Sequence, residues 1–232
     1  MSYKGKKILA VIPARGGSKS IPHKNLRKIN GVSLVGLAVS IAKMTGWIDS
    51  IIVSTDSKEI ADEAEIYGAE VPFIRPYELA SDLAKSIDMW IHAWLETEKI
   101  FNEKYDISIL LEPTSPLRRV EDIQRTVDKV IDEGFPASAT FSKNPAHFTP
   151  HKTLIVNNGV IEFYHAEGDK YSIRQNIPDY YHRNGICYAV TKKQLIEKRK
   201  IIEENCAAVI IDRVVVNIDE EYELKLAELL LS

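Results

Sequence analysis

The chain has 232 residues, enough for one α/β domain with a sizeable core. A hydrophobic content of 45% with 27% charged residues is that of an ordinary globular protein, which argues against a disordered or fibrous chain. The formal net charge of -3 argues against a general nucleic-acid-binding surface, yet leaves room for a local cationic pocket.

Taken in chain order, Ile8 to Ile12 is an apolar run that predicts a buried strand. It empties into Arg15-Gly16-Gly17-Ser18-Lys19, with His23-Lys24-Asn25 close behind. Glycines let backbone N–H groups approach an oxyanion, and Arg15, Lys19 and Lys24 offset the charge of a polyphosphate. The spacing matches neither the Walker A loop nor the dinucleotide fingerprint. On the residues alone, the segment reads either as a phosphate cradle or as a plain turn out of a strand.

Leu34, Leu37, Ala38 and Ile41 then recur at helical spacing. Ile51 to Val53 predicts a second strand, and Asp56-Ser57-Lys58-Glu59 predicts a capping box for a helix that Gly68 closes. Ile87, Ile91 and Leu95 mark a helix, Ile107 to Leu111 a third strand. Val120, Ile123, Val127 and Val130 form a helical stripe ending at Gly134, and Ala137 to Phe141 is a further strand. Apolar strands alternating with helices predict a mostly parallel sheet covered on both faces. Ligands bind such sheets outside the carboxyl ends of the strands, so the Arg15 loop, Ser54-Thr55-Asp56 and the segment after Leu111 are expected on one rim.

From Asn144 to Tyr181 the texture changes to Pro, His, Asn and Tyr. Leu154 to Phe163 contains Asn158-Gly159, a strong hairpin signal. So short a segment has no core of its own, and its apolar residues need either the main sheet or another subunit. Gly185 to Val190 returns to the core, with Cys187 expected as a buried thiol. Leu224, Leu226, Ala227, Leu229 and Leu230 predict a closing helix. The two cysteines make no disulfide framework, and the six histidines have no metal-type spacing. No stretch is long and apolar enough for a signal peptide or a membrane span, so the expected location is the cytoplasm, with no membrane partner.

Three separated motifs resemble one known family, the sialic-acid-type cytidylyltransferases or CMP-sugar synthetases. They are Ile12 to Asn25; Leu111-Glu112-Pro113-Thr114-Ser115-Pro116-Leu117-Arg118; and Arg174-Gln175-Asn176-Ile177-Pro178 with Arg183-Asn184-Gly185 and Tyr188. The resemblance spans nearly the whole chain. It implies a single nucleotidyltransferase domain over 1–232, Rossmann-like, with 144–181 inserted as a dimerisation and sugar-site segment. It also implies a homodimer that transfers CMP from CTP to the anomeric hydroxyl of a nonulosonic (sialic-acid-like) sugar, releasing pyrophosphate. By the same resemblance Arg15 and Lys24 serve catalysis, and Arg15, Gly16, Gly17, Ser18, Lys24, Asn25, Arg75 and Ser86 bind the nucleotide. Glu112, Lys152, Arg174, Gln175 and Tyr188 fall to the sugar. Several of these have plainer readings: Asn25 as a turn residue, Ser81 or Asp82 as a helix cap, Tyr188 as a core tyrosine.

Two positions depart from the family pattern. Val214 to Asp219 matches a run that usually reads Asp-any-Asp, whose alternate side chains share one strand face and hold Mg²⁺. Here the first is Asn217, so Asp219 is the stronger ligand, with capping of the last helix as its plainer reading. Glu112 stands where glutamine is usual; an ionised Glu only accepts hydrogen bonds, so it serves either Mg²⁺ or the sugar. A cytidylyltransferase for an eight-carbon keto-acid sugar and a catalytically weakened nucleotide-binding protein are the rival readings.

Overall fold

The computed structural model describes residues 2–166, 168–170 and 177–232. The first strand, β1 (Ile8–Pro13), is buried along nearly its whole length. After the loop, a short antiparallel pair, β2 (Lys28–Ile29) and β3 (Val32–Ser33), leads into α1 (Leu34–Met44), where Ser33 Oγ caps the helix by accepting the Gly36 N–H at 3.1 Å. Next come β4 (Ser50–Ser54), α2 (Lys58–Ile66), α3 (Ser86–Phe101), β5 (Ile107–Leu110), α4 (Val120–Ile131) and β6 (Ala137–Lys143). The hairpin strands β7 (Leu154–Asn157) and β8 (Val160–Phe163) follow, then β9 (Tyr181–Thr191), β10 (Ala207–Ile210) and α5 (Glu221–Leu231).

Six strands form the main sheet in the order β10-β6-β9-β5-β1-β4. Only β9 runs antiparallel to its neighbours, and there is a physical reason. Helical crossovers return the chain to the starting end of the sheet and so produce parallel strands. β6 is instead followed by an excursion from its carboxyl end, and the chain re-enters at that same end. Residues of β1 alternate between the two faces: Ile8, Ala10 and Ile12 pack with α1, α2 and α4, while Leu9 and Val11 pack against Met89, Trp90 and Trp94 of α3. A smaller cluster joins Ile21, Ile29 and Leu34 to Val216, Ile218 and Leu224.

Three local expectations are corrected. Ser57, not Asp56, caps α2, because the Asp56 carboxylate is drawn away to accept the Gly16 N–H at 2.8 Å. Glu220, not Asp219, caps α5, in a reciprocal box with Glu223. The segment Val214 to Asp219 is no ladder strand, although its alternation survives: Val216 and Ile218 point inward, Asn217 and Asp219 outward. The turn at Asn158-Gly159 has φ of 52° and 81°, as a type I′ hairpin requires. All eight strand residues of that hairpin are exposed, so it does not pack on the main sheet. Among the described residues, no helix is long and apolar enough to cross a membrane.

Candidate active site

The carboxyl ends of β1 and β5 and the N-terminus of α3 enclose a cavity of about 340 Å³. Arg15, Ser18, Lys24, Asn25, Arg75 and Ser86 all line it, and Glu112 closes the far side. These residues lie as much as 97 positions apart, the distance from Arg15 to Glu112; the parallel topology brings them together.

The loop after β1 is braced from several sides. Asn25 Nδ2 donates to the Arg15 carbonyl at 2.9 Å, which makes Asn25 a tie across the loop rather than a simple turn residue. Asp56 takes the Gly16 N–H, so that amide is occupied by the protein itself. Gly17 does not line the main cavity; with Lys19 it lines an adjoining depression that shares Arg15 and Ser18.

Arg15, Lys19, Lys24 and Arg75 all have partners within the protein. Arg15 Nη1 meets Asp82 Oδ1 at 2.9 Å, and Lys19 Nζ meets Asp82 Oδ2 at 2.6 Å. The hydrogen bond from Lys19, with Arg15 assisting, holds the Asp82 carboxyl below its ordinary value. Asp82 therefore faces the loop instead of capping α3, whose N-cap position, Lys85, has no side-chain cap. Ser81 likewise turns away, donating to the Glu78 carbonyl at 3.3 Å. Ser86 is the first residue of the 16-residue α3, so the positive end of a long helix points at the cavity, a favourable place for an anion. Lys24 is buried and donates to the Ile218 carbonyl at 2.9 Å and to Asp219 Oδ1 at 3.0 Å. Arg75 is buried too, with Nε on Ser54 Oγ at 3.0 Å and Nη2 on the Ser54 carbonyl. Burial lowers its pKa to about 10, so it remains a cation at neutral pH.

Glu112 is half-buried at the cavity wall. Burial raises its pKa; Asp219 pushes the same way, and Arg118 and Arg183 oppose. The Ile218 N–H donates to the Thr114 carbonyl at 2.8 Å and so draws the Asp219 segment beside the Glu112 loop. Glu112 and Asp219, with the Asn217 amide on the same outward side as Asp219, are the oxygen donors that could hold Mg²⁺; Asp219 meets Lys24 Nζ at 3.0 Å, and neither it nor Asn217 lines the cavity. Among the described residues there is no group of three or more His, Cys, Asp or Glu that could hold a metal ion.

The residues expected at the sugar are more dispersed. Tyr188 is buried in the layer against α3, where burial pushes its phenol up to about 12, and it does not line the cavity. Lys152 is exposed at the end of a short turn, Pro150–Lys152, away from the cavity. Arg174 and Gln175 lie outside the described residues. Residues that the sequence reading did not single out include Asp82 as counter-ion, Asp56 as loop brace and Lys85 in the cavity wall. A fourth is Arg118, fully buried, whose guanidinium donates to the carbonyls of Glu112 (2.7 Å), Gly185 (3.2 Å) and Ile186. Cys187 is buried, with its thiol pushed up to about 12, and is inert as expected.

Residues 9–231 match the model of a family described as "Cytidylyltransferase". The chain is 32% identical over 220 residues to a CMP-N,N'-diacetyllegionaminic acid synthase of Legionella pneumophila, covering 92% of this chain and 90% of that protein. It is 29% identical over 225 residues to a pseudaminic acid cytidylyltransferase of Campylobacter jejuni, covering 97% and 96%. Among solved structures, a CMP:2-keto-3-deoxy-manno-octonic acid synthetase complexed with CTP superposes with a TM-score of 0.72 at 18% identity, covering 97% of this chain and 98% of that one, a likeness of fold.

Proposed function

This chain belongs to the cytidylyltransferase family and is a CTP-dependent nucleotidyltransferase, and from that premise we propose that it transfers CMP to the anomeric hydroxyl of a nonulosonic acid. The observation that supports the site assignment is the convergence of Arg15, Lys24, Arg75 and Ser86 with Glu112 in one cavity at the strand ends. In this reading Arg15 and Lys19 leave Asp82 for the triphosphate. Lys24 and Arg75 hold it from beneath, and the α3 N-terminus adds its dipole. The anomeric oxygen forms a bond to the α-phosphorus in line with the α–β bridging oxygen, whose bond to that phosphorus breaks as pyrophosphate leaves. The hydroxyl proton is released as the ester forms. No protein nucleophile is required.

Asp219 and Glu112, with Asn217 as a neutral ligand, are the residues that would hold Mg²⁺. Bound there, the ion offsets the charge on the triphosphate and on the leaving pyrophosphate. The sugar carboxylate suits a bidentate guanidinium, the role proposed for Arg174, with Gln175 and Lys152 of the same inserted segment in supporting places; Tyr188, buried against α3, is not among them. The exposed apolar hairpin supports a homodimer in which that segment serves the partner's site. A reaction that consumes CTP belongs in the cytoplasm, where CTP is made.

The eight-carbon reading draws support only from a shared fold at 18% identity, whereas relatives at 29–32% are named for nine-carbon acids. Pyrophosphate release with CTP, Mg²⁺ and a panel of acceptors decides the matter. The panel is N,N'-diacetyllegionaminic, pseudaminic and N-acetylneuraminic acids and an eight-carbon keto-acid sugar. Turnover of a nine-carbon acid at least tenfold faster than the eight-carbon sugar is expected; the reverse order rejects the proposal.

A further inference from the structure

Pairing of β9 with β6 slips between Ala139 and Phe141, and Gly185 sits at that irregularity with φ of 71°. Asn184 fills the gap: its Oδ1 accepts from Thr140 Oγ1 at 2.6 Å and from the Ile186 N–H at 3.3 Å, and its Nδ2 donates to Ser142 Oγ at 3.0 Å. From the other side the Arg118 guanidinium grips the carbonyls of Gly185, Ile186 and Glu112 together. The backbone of Glu112 is thereby tied to the bulge. Its carboxylate lies against the bare Cα of Gly185: a Cβ there would overlap Glu112 Oε2 and fall 2.8 Å from Ser115 Oγ. A left-handed φ alone explains a glycine or an asparagine. It does not explain why the space beside that Cα is filled by the tip of a carboxylate that lines the cavity.

We propose that Gly185 and Arg118 are positioning residues for nucleotidyl transfer, the glycine leaving the room and the arginine fixing the backbone from which Glu112 reaches the site. The inference rests on the reading of Glu112 as a ligand of metal or sugar. Glu112 Oε2 is the end of a flexible side chain and can swing aside, whereas Ser115 Oγ is buried and donates to the Asn184 carbonyl at 3.0 Å, so a substitution at Gly185 displaces the carboxylate and also strains the bulge.

The test is a double-mutant cycle. Gly185→Ala and Gly185→Asn are made alone and in a Glu112→Ala background. Asparagine relieves the strain of a positive φ but keeps the Cβ. Arg118→Lys, which keeps a charge but loses the fork, is a third variant. Readouts are the thermal midpoint, the half-saturating MgCl₂ concentration, and KM for CTP and for the fastest acceptor of the panel. In the Glu112-containing enzyme, Gly185→Asn and Arg118→Lys should each raise half-saturation for Mg²⁺ or for the acceptor about tenfold, with KM for CTP within twofold. In the Glu112→Ala background Gly185→Asn should change neither further, and Gly185→Ala should lower the midpoint less than in the parent. Equal effects in the two backgrounds overturn the proposal. Unchanged kinetics in Glu112→Ala alone overturn the ligand reading of Glu112 and the purpose assigned to the clamp, while the midpoints still report whether Glu112 and a Cβ compete for space.

Discussion

At the scale of single residues, the informative contact is the carboxylate of Asp82 on both loop cations. Arg15 and Lys19 are the groups expected at the triphosphate, and Asp82 neutralises them before any nucleotide arrives. CTP then competes with a tethered carboxylate. Partly exposed pairs of this kind are individually weak, so Asp82→Asn should lower KM for CTP about two- to fivefold. Arg15→Ala should raise it about ten- to a hundredfold, the range of a charge-assisted contact. Steady-state kinetics at fixed acceptor check both; a rise in KM on Asp82→Asn would mean that the carboxylate orders the loop for the nucleotide rather than competing with it. The convergence of the Arg15 loop and Glu112 was legible because both follow strand ends, which a parallel sheet gathers on one rim, whereas Arg75 and Ser86 were expected there only from the family resemblance. Asp82 was not, because a Ser-Asp pair before a helix has the same pattern whether it caps the helix or reaches across to an arginine. Asp56 misled in the same way: its carboxylate had two possible N–H partners, and only tertiary structure chooses between them.

At the scale of elements, the hairpin of β7 and β8 is left exposed along both strands by the single chain. Register pairs Leu154 with Phe163 and Val156 with Ile161, so those four apolar side chains share one face, while the other carries Ile155 and Val160 with Glu162 and Asn157. Val156 is 65% exposed and Ile161 62%. A face of that kind, held out from the sheet, is what an isologous contact between two copies needs. Val156→Asp combined with Ile161→Asp should weaken dimerisation by about two orders of magnitude, since each carboxylate would have to be buried without a partner. Light scattering over a concentration series measures this, and CTP binding should persist. An unchanged molar mass would exclude the hairpin from the interface. The hairpin itself was readable from Asn158-Gly159 flanked by apolar runs. The antiparallel sense of β9 was not, because strand direction depends on the end at which the preceding connection returns, and residue patterns do not record that.

At the scale of the whole molecule, the sheet and its helices enclose the cavity, and the described hairpin of the excursion between β6 and β9 pairs only with itself. The stem of the excursion is narrow. Lys143 pairs with Tyr181 as the last step of the ladder, the Asn144 N–H donates to the Tyr180 carbonyl at 2.8 Å, and Lys143 Nζ meets Asp179 Oδ1 at 2.6 Å. The chain thus leaves and re-enters at neighbouring strands, about 5 Å apart, the gap a tight turn spans. Replacing residues 144–180 with a short turn should give a chain that folds, keeps CTP binding within a fewfold, and has no acceptor turnover. Calorimetric titration with CTP and the pyrophosphate assay report the two halves separately, and loss of folding would show that the stem is not independent. The excursion is in this sense a cassette plugged into a nucleotide platform. Lengthening or rewriting it costs little loop-closure entropy and leaves the strand register alone, so an acceptor site carried there, as proposed, can diverge while the CTP half stays constant.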